Sequence, residues 1–552
     1  MSAFEDDVTM FSLLEENEKL MKENRLLWEE VNFYRRNCHD SGIDLNPLVL
    51  LGVLPPSRPI PSYYRTAESA SLQFDFLPAI ASQAGLAIAS NTILKSLSIR
   101  AKYFGSGESF GDIADGLAIN TTLTKLNLGI RPGQTSEPID SRLAPYVASV
   151  IDRNTTLLHL DLRSNKLDEQ AMAVLGPALA RNTTLVTIHL DGNPLGNGMQ
   201  HLGHALSVNT HLKNIDVGML KGNFAPLFRG LIVNPSSALK KLSCCFPDGM
   251  ADEYAPLLED LLTVNTSLQT LSFVLPADEN QSTALAGGIA RGLSKNTTLL
   301  TLSIDELGPS EEASLLVVDG LLANHALTSL SLGQNQSATL GRLGATLRSN
   351  TSLLALTLRP PCTRCEDLTL SSQGLMQLAA GLATNSHLTT LSLKSFHMNE
   401  EAQATLAKAL LSNSTLSDLN LDGCNISSKT LVILAGVLKS TALKVLNLEF
   451  TWVDDAALIA LAEAIQVNST LQTLRMAESR ADFSKDALLK FASAMEANTS
   501  ITDSDFDDGT DRTAELPKRP IQMISSAIYR NRCNQKHPRT FHSSVYDWNA
   551  DY

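Results

Sequence analysis

The residues best suited to acid–base or metal chemistry lie between positions 159 and 216. They are His159, Asp161, Arg163, His189, Asp191 and Asp216. Imidazole and carboxylate groups are common metal ligands and proton carriers, provided that they converge on one point. Whether these side chains converge depends on the secondary-structure elements that carry them.

A second polar set lies late in the chain and contains no histidine. It consists of Asp418, Asn420, Asp422 and Glu449. Its members alternate with leucines, which is typical of a strand that has one polar face. The set is acidic overall, and this favours a partner with a basic surface.

Both sets belong to one repeated pattern. The stretch from Leu157 to Thr184 reads LLHLDLRSNKLDEQAMAVLGPALARNTT, and the next copy begins at Leu185. The opening L-x-x-L-x-L predicts a short strand, an Asn-bearing turn follows, and the second half has the apolar spacing of a helix. The leading apolar residue recurs from Leu94 to Ile501, at most steps every 26 to 31 residues. This period predicts an array of strand–helix repeats.

The array resembles the ribonuclease-inhibitor type of leucine-rich repeat, which also occurs in Ran GTPase-activating proteins and in NOD-like receptors. The resemblance covers roughly residues 76–502, in about 15 repeats. It implies an α/β fold: a leucine-rich repeat solenoid, or horseshoe, with parallel strands on the concave face and helices on the convex face. Stacking buries the leucines in a shared core, because one strand–helix unit cannot bury both of its faces alone.

The tripeptide before each repeat is usually N-T-T, N-T-S or N-S-T, as at Asn120, Asn265 and Asn468. We expect this Asn to end the helix in a left-handed backbone conformation and to hydrogen-bond nearby backbone groups. The tripeptides are also glycosylation sequons, but their recurrence in the repeat favours a structural role.

Strand geometry predicts which side chains reach the concave face. In L-x-x-L-x-L the first, fourth and sixth positions point into the core, so the third, fifth and seventh point outward. All members of both polar sets occupy outward positions. We expect Asp161, Asp191 and Asp216 to form a column with about 5 Å between neighbours, with His159 near His189. Side chains on a parallel sheet do not converge as catalytic or metal-binding groups must. We therefore interpret both sets as a partner-binding surface and predict no catalytic, cofactor or metal site.

The composition limits the class of partner. The chain has 552 residues, 43% of them hydrophobic, and a net charge of -14, which argues against nucleic acid and anionic membrane as partners. No apolar run reaches the roughly 18 residues needed for a membrane span. The opening MSAFEDDVTMF lacks the basic and apolar regions of a signal peptide. Seven irregularly spaced cysteines indicate reduced thiols and a cytoplasmic protein.

Residues 1–40 predict an amphipathic, coiled-coil-like helix. Its heptad positions are Leu13, Asn17, Leu20, Asn24, Leu27, Val31 and Tyr34. Leucines seven apart, with Asn at two a-type positions, are typical of a two-stranded coiled coil. The apolar stripe is wider than a dimer seam. Three interpretations therefore stay open: a homodimer through this helix, packing against another protein, and packing against the chain's own repeats.

The regions around the repeats have their own patterns. A Pro-rich linker is expected at 41–75 and a non-repeat tail at 503–552. Residues 76–93 resemble the helical half of a repeat without its strand, which suits a terminal cap. Within the tail, a helix is predicted over Pro520–Asn531.

Taken with the resemblance, these features favour a non-enzymatic protein–protein interaction scaffold, adaptor or regulatory protein whose partner binds on the concave face. The alternative that the resemblance implies is a GTPase-activating regulator of a small Ran-like GTPase. The long acidic C-terminal block of that family is missing, and only a short acidic run at 503–511 stands in its place.

Overall fold

The computed structural model describes twelve segments of the chain. They are residues 69–73, 78–100, 108–130, 138–218, 223–246, 249–304, 311–333, 336–359, 372–439, 442–477, 483–506 and 518–534. The predicted N-terminal helix over 1–40 lies outside these residues, so its dimerisation stays a prediction.

The chain divides into two units, Met1–Leu220 and Lys221–Tyr552. In the first unit, strands and helices alternate. The strands are β1 (Ser69–Gln73), β2 (Ser96–Arg100), β3 (Lys125–Asn127), β4 (His159–Asp161), β5 (Thr187–His189) and β6 (Asn214–Asp216). The helices are α1 (Pro78–Ser90), α2 (Glu108–Ile119), α3 (Ala144–Arg153), α4 (Glu169–Arg181) and α5 (Met199–Leu206). Consecutive strands pair in parallel from β1 to β6.

The second unit continues the same alternation. Its strands are β7 (Lys241–Cys245), β8 (Thr270–Val274), β9 (Thr301–Ile304), β10 (Ser329–Leu332), β11 (Ala355–Leu358), β12 (Thr390–Ser392), β13 (Asp418–Asn420), β14 (Val445–Asn447), β15 (Thr473–Arg475) and β16 (Asp503–Ser504). Its helices are α6 (Ala225–Val233), α7 (Ala251–Val264), α8 (Glu279–Leu293), α9 (Glu311–Leu322), α10 (Ser337–Leu347), α11 (Ser372–Thr384), α12 (Glu400–Ser412), α13 (Ser428–Leu438), α14 (Asp455–Val467), α15 (Lys485–Ala497) and α16 (Lys518–Asn534). All strands of this unit also pair in parallel with their sequence neighbours.

Strand register places the same repeat position of neighbouring repeats side by side. In the second unit Leu391 pairs with Leu419, and Leu419 pairs with Leu446. These central leucines are at most 1% exposed. Helix residues such as Leu406 and Leu434 are also buried, so leucines from both elements form the core. This confirms the predicted α/β repeat fold.

In many repeats the asparagine of the N-T-T or N-S-T tripeptide joins its repeat to the one before it, as at Asn413. The side-chain amide of Asn413 donates to Leu382 O at 2.7 Å and to Asn385 O at 3.0 Å. Its Oδ1 accepts from Thr415 N at 3.0 Å and Leu416 N at 2.8 Å. Asn413 itself has an extended backbone, with φ -90° and ψ 123°. The predicted left-handed conformation is therefore wrong, because the cap is made by the side chain and needs no change in the sign of φ.

The same asparagines are poor glycan acceptors. Asn120, Asn154, Asn182 and Asn468 are buried, and their amide nitrogens donate to backbone carbonyls of the preceding repeat. A buried nitrogen that is already bonded cannot be glycosylated in the folded chain. The structural interpretation of these sequons is thus supported.

Regular structure extends beyond both predicted ends of the array. Strand β1 lies within the expected linker and pairs with β2 over its whole length. The expectation of a first helix without a strand is therefore wrong, because SASLQ forms a strand without the L-x-x-L-x-L pattern. At the other end, α16 spans the predicted helix. Its Asn531 donates to Asn498 O at 3.0 Å and Ile501 O at 2.8 Å, as the repeat asparagines do.

Candidate functional site

The side of each sheet opposite the buried leucines carries the two predicted polar sets. We call it the open face. In β4, Leu160 is buried while His159 and Asp161 on either side of it are half-buried. Strand β6 shows the same alternation at Asn214, Ile215 and Asp216. The predicted outward positions of these strands therefore do reach solvent.

The register of the first unit differs from the predicted column of aspartates. Asp161 pairs with His189, and His189 pairs with Asp216. Asp191 lies beyond the end of its strand, with the seventh-position residues. The prediction that Asp161, Asp191 and Asp216 form one column is wrong, because it combined the fifth and seventh positions of different repeats. Across strands β4, β5 and β6 the structure instead places Asp161, His189 and Asp216 side by side.

The chain itself neutralises part of the charge of this row at Asp161. Arg163 Nη2 lies 2.8 Å from Asp161 Oδ2, and His189 Nδ1 lies 3.6 Å from Asp216 Oδ2. The hydrogen bond to Asp161 raises the pKa of Arg163, so this guanidinium stays charged. Burial, and then the nearby Lys125 and His189, lower the pKa of His159, which favours its neutral form. The row can therefore present both donors and acceptors to a partner.

Aspartate or asparagine at the fifth repeat position also ends the strand. Asp161 Oδ1 accepts from Arg163 N at 3.0 Å, and Asp216 Oδ1 accepts from Gly218 N at 3.0 Å. Asn420 and Asn447 make the same bond to the backbone N–H two residues on, at 2.9 and 2.8 Å. Such local bonds turn the chain out of a strand. These side chains therefore have a structural role that the sequence interpretation missed, although their recurrence at one position indicated it.

The late polar set is less exposed than its sequence positions predict. Asn420 and Asp422 are only 6% and 5% exposed. Asp422 Oδ2 lies 3.1 Å from Lys394 Nζ. Asp418 is half-buried and accepts a short hydrogen bond from Ser417 Oγ. Of this set, Asp418 and Glu449 have the most surface left for a partner.

Arg475 gathers three carboxylates at the end of the second unit. It lies 3.7 Å from Glu449, 3.1 Å from Asp503 and 3.7 Å from Asp505. Arg532 of α16 also reaches Asp503, at 2.8 Å. Burial, and then the neighbouring Asp505 carboxyl, raise the pKa of Glu449 to about 7. The cluster therefore holds three carboxyl groups and two guanidinium groups, and the raised pKa of Glu449 brings its net charge close to zero near pH 7. Arg475 and Lys394 sit at outward repeat positions, so the sequence pattern could have identified them.

The described residues contain no group of three or more His, Cys, Asp and Glu side chains that could hold a metal ion. Among the same residues, no helix combines the length and apolar character required to cross a membrane.

A parallel strand, an Asn-bearing turn and a helix recur along both units, with leucines in the core between them. This arrangement defines a leucine-rich repeat protein. The chain is 26% identical over 339 residues to human "NACHT, LRR and PYD domains-containing protein 5", a match that covers 59% of this chain and 27% of that protein. It is 29% identical over 136 residues to "Leucine-rich repeat-containing protein 45" of Gallus gallus, covering 24% of this chain and 20% of that protein. The matched segments thus span between a fifth and about a quarter of these relatives' lengths.

No protein-family profile matches the chain. A solved structure of "Leiomodin-1 Actin-Binding Site 2 (ABS2)" has 16% sequence identity, covers 30% of this chain and 91% of that one, and has a TM-score of 0.26.

Proposed function

We propose that this protein is a protein-interaction scaffold that binds a partner protein on the open face of its repeats. Its leucine-rich repeat relatives support a scaffold of this general kind. The observation that carries the proposal is the alternation along the strands: leucines fill the core and polar side chains line the opposite side. A row of such strands offers a surface with many hydrogen-bonding groups.

The geometry favours recognition over catalysis. Strand register keeps Asp161, His189 and Asp216 on three successive strands, so each is directed outward from its own strand. Two of the three are already bonded to the backbone at the strand end. A general base needs a free lone pair aimed at a common point. Fixed polar groups in a row instead suit a partner with complementary charge.

We infer that the partner has a basic surface. The whole chain carries a net charge of -14, and Asp418 is a partly exposed carboxylate on the open face. Complementary charge speeds association and aligns the two surfaces. Binding should therefore weaken as salt is raised, because exposed charges are screened beyond about 8 Å at physiological ionic strength.

Affinity capture from a cell lysate, with matched charge reversals, tests the proposal. Asp418→Arg reverses a charge on the open face, in β13, whereas Glu463→Arg reverses a charge on the exposed side of α14. We expect Asp418→Arg to reduce recovery of the captured partner, and Glu463→Arg to leave it unchanged. In the first unit, His189→Ala is compared with His204→Ala on α5. If the open-face variant and its control recover the same amount of partner in both pairs, the open face is ordinary solvated surface and the proposal fails.

A GTPase-activating function rests on the resemblance of the repeats alone. Adding the protein to a panel of small GTPases and following GTP hydrolysis tests it directly. No acceleration across the panel would remove this alternative.

A further inference from the structure

Two aromatic side chains are exposed in the turn that follows β14. Phe450 is 54% exposed and Trp452 is 60% exposed. Between and after them, Thr451 and Val453 are buried, and Thr451 Oγ1 donates to Leu448 O at 2.6 Å. The turn is therefore fixed by its inward residues, and the two rings are held on the outer side.

The backbone at Phe450 is unusual for a large side chain. Its φ is +54°, in the left-handed region. The third residue after the strand has the same conformation in other repeats, where it is Ser164, Gly192, Ser395 or Gly423. Glycine adopts this conformation without a steric penalty, whereas a residue with a Cβ is disfavoured there. An exposed phenylalanine thus occupies a position for which a smaller residue is better suited, and its burial does not explain it. Strain of this kind marks candidate functional positions.

The same turn is acidic. Residues 449–455 read EFTWVDD, with three carboxylates and no Lys or Arg. Asp454 accepts from Ser428 Oγ at 2.5 Å and from Ala457 N at 2.9 Å, and these bonds lower its pKa. Glu449, at the start of the turn, lies beside Arg475 and Asp505. Both ends of the turn therefore carry carboxyl groups, and Phe450 and Trp452 lie between them in the sequence.

An aromatic face next to carboxylates is the chemistry that recognises a guanidinium group. Tryptophan is the best of the aromatic side chains for a cation–π contact, and arginine is the commonest cation in such contacts. The guanidinium plane can stack on a ring while its N–H groups donate to a carboxylate. Exposed Trp, Tyr and Arg are also the residues that most often dominate binding energy at protein interfaces.

We propose that Phe450 and Trp452 form an anchor for an arginine side chain of the partner protein, with the Glu449 and Asp454 carboxyl groups on either side of it. This inference rests on the proposed scaffold function and names the chemistry that the partner presents. It assigns the anchor to the turn after β14, next to the open face and not on the strand itself.

A synthetic peptide tests the anchor in the full-length protein. The probe is an eight-residue peptide with three arginines separated by glycines and a fluorescent label. The control peptide has citrulline, which is neutral and nearly the same shape, in place of each arginine. Fluorescence anisotropy should show several-fold tighter binding of the arginine peptide. Trp452→Ala and Phe450→Gly should each weaken it about two- to fivefold, as an exposed cation–π contact would. Tyr529→Ala, which removes an aromatic ring that is 71% exposed on α16, should leave binding unchanged.

Thermal unfolding separates binding from a structural role. Because glycine suits the left-handed position, Phe450→Gly should keep or raise the melting temperature while binding weakens. A lowered melting temperature with unchanged peptide binding would assign Phe450 to the fold and overturn the proposal. Equal affinity for the arginine and citrulline peptides would also overturn it. In either case, loss of partner capture in Asp418→Arg alone would leave the scaffold function standing.

Discussion

Replacing Asn413 by alanine tests how the repeats are joined. Its side chain makes four hydrogen bonds to backbone, two to the carbonyls of Leu382 and Asn385 and two from the N–H groups of Thr415 and Leu416. Asn413 is 4% exposed and Leu416 is 2% exposed, so water does not readily replace the lost partners. Each buried backbone group left without a partner costs about 1–3 kcal/mol. Because some groups relax or find water, we expect a total loss of about 3–5 kcal/mol.

Urea unfolding followed by circular dichroism measures this loss. Asn280→Ala is the matched control, since Asn280 is exposed on the first turn of α8 and should change stability by no more than about 0.5 kcal/mol. Asn413→Asp keeps the oxygen that accepts from Thr415 N and Leu416 N but replaces the amide donor with a second oxygen. It should also destabilise the protein, because a carboxylate would face two carbonyls. If the free energy of unfolding of Asn413→Ala lies within about 1 kcal/mol of the wild-type value, roughly the size of one hydrogen bond, Asn413 does not hold neighbouring repeats together as we describe.

Three further predictions concern other parts of the chain. Burial and the Asp505 carboxyl raise the pKa of Glu449 to about 7, above the roughly 4.3 of an unfolded chain. The stability of the folded protein therefore falls as pH rises between those two values. Glu449→Gln should raise the melting temperature at pH 8 but not at pH 4, and equal shifts at both pH values would contradict this pKa. Burial raises the pKa of Cys424 to about 12, so this thiol should resist iodoacetamide at pH 8 in the native protein, and rapid labelling seen by peptide mass spectrometry would refute its burial. The N-terminal heptads predict that the full chain sediments with the mass of a dimer, and that the double variant Leu20→Asp/Leu27→Asp sediments with the mass of a monomer. A wild-type chain with the mass of a monomer would exclude the homodimer.

The fold could be predicted from the sequence because the same leucine spacing recurs in nearly every repeat. Leucines at fixed positions set the strand face and the helix face together, and many copies of the pattern outweigh local exceptions. Strand β1 escaped prediction because SASLQ lacks the leucine spacing, although pairing with β2 stabilises it. The conformation at Asn413 was predicted wrongly because the cap depends on where the side chain bonds, and tripeptide composition does not specify this.

The candidate surface was predicted less completely than the fold. Outward positions follow from strand alternation, but exposure depends on neighbours in adjacent strands. Asp422 occupies an outward position and is still buried beside Lys394. The exposed rings of Phe450 and Trp452 lie beyond the strand, in a turn where the alternation rule no longer applies. A sequence pattern that describes strands therefore could not find them.

Hydrogen–deuterium exchange of the protein with and without its captured partner tests the binding face most directly. We expect slower exchange in the strands and following turns of the second unit, over residues 390–398, 418–426 and 445–453, while α12 to α14 exchange as before. Protection confined to those helices, with the strands and turns unchanged, would contradict binding on the open face.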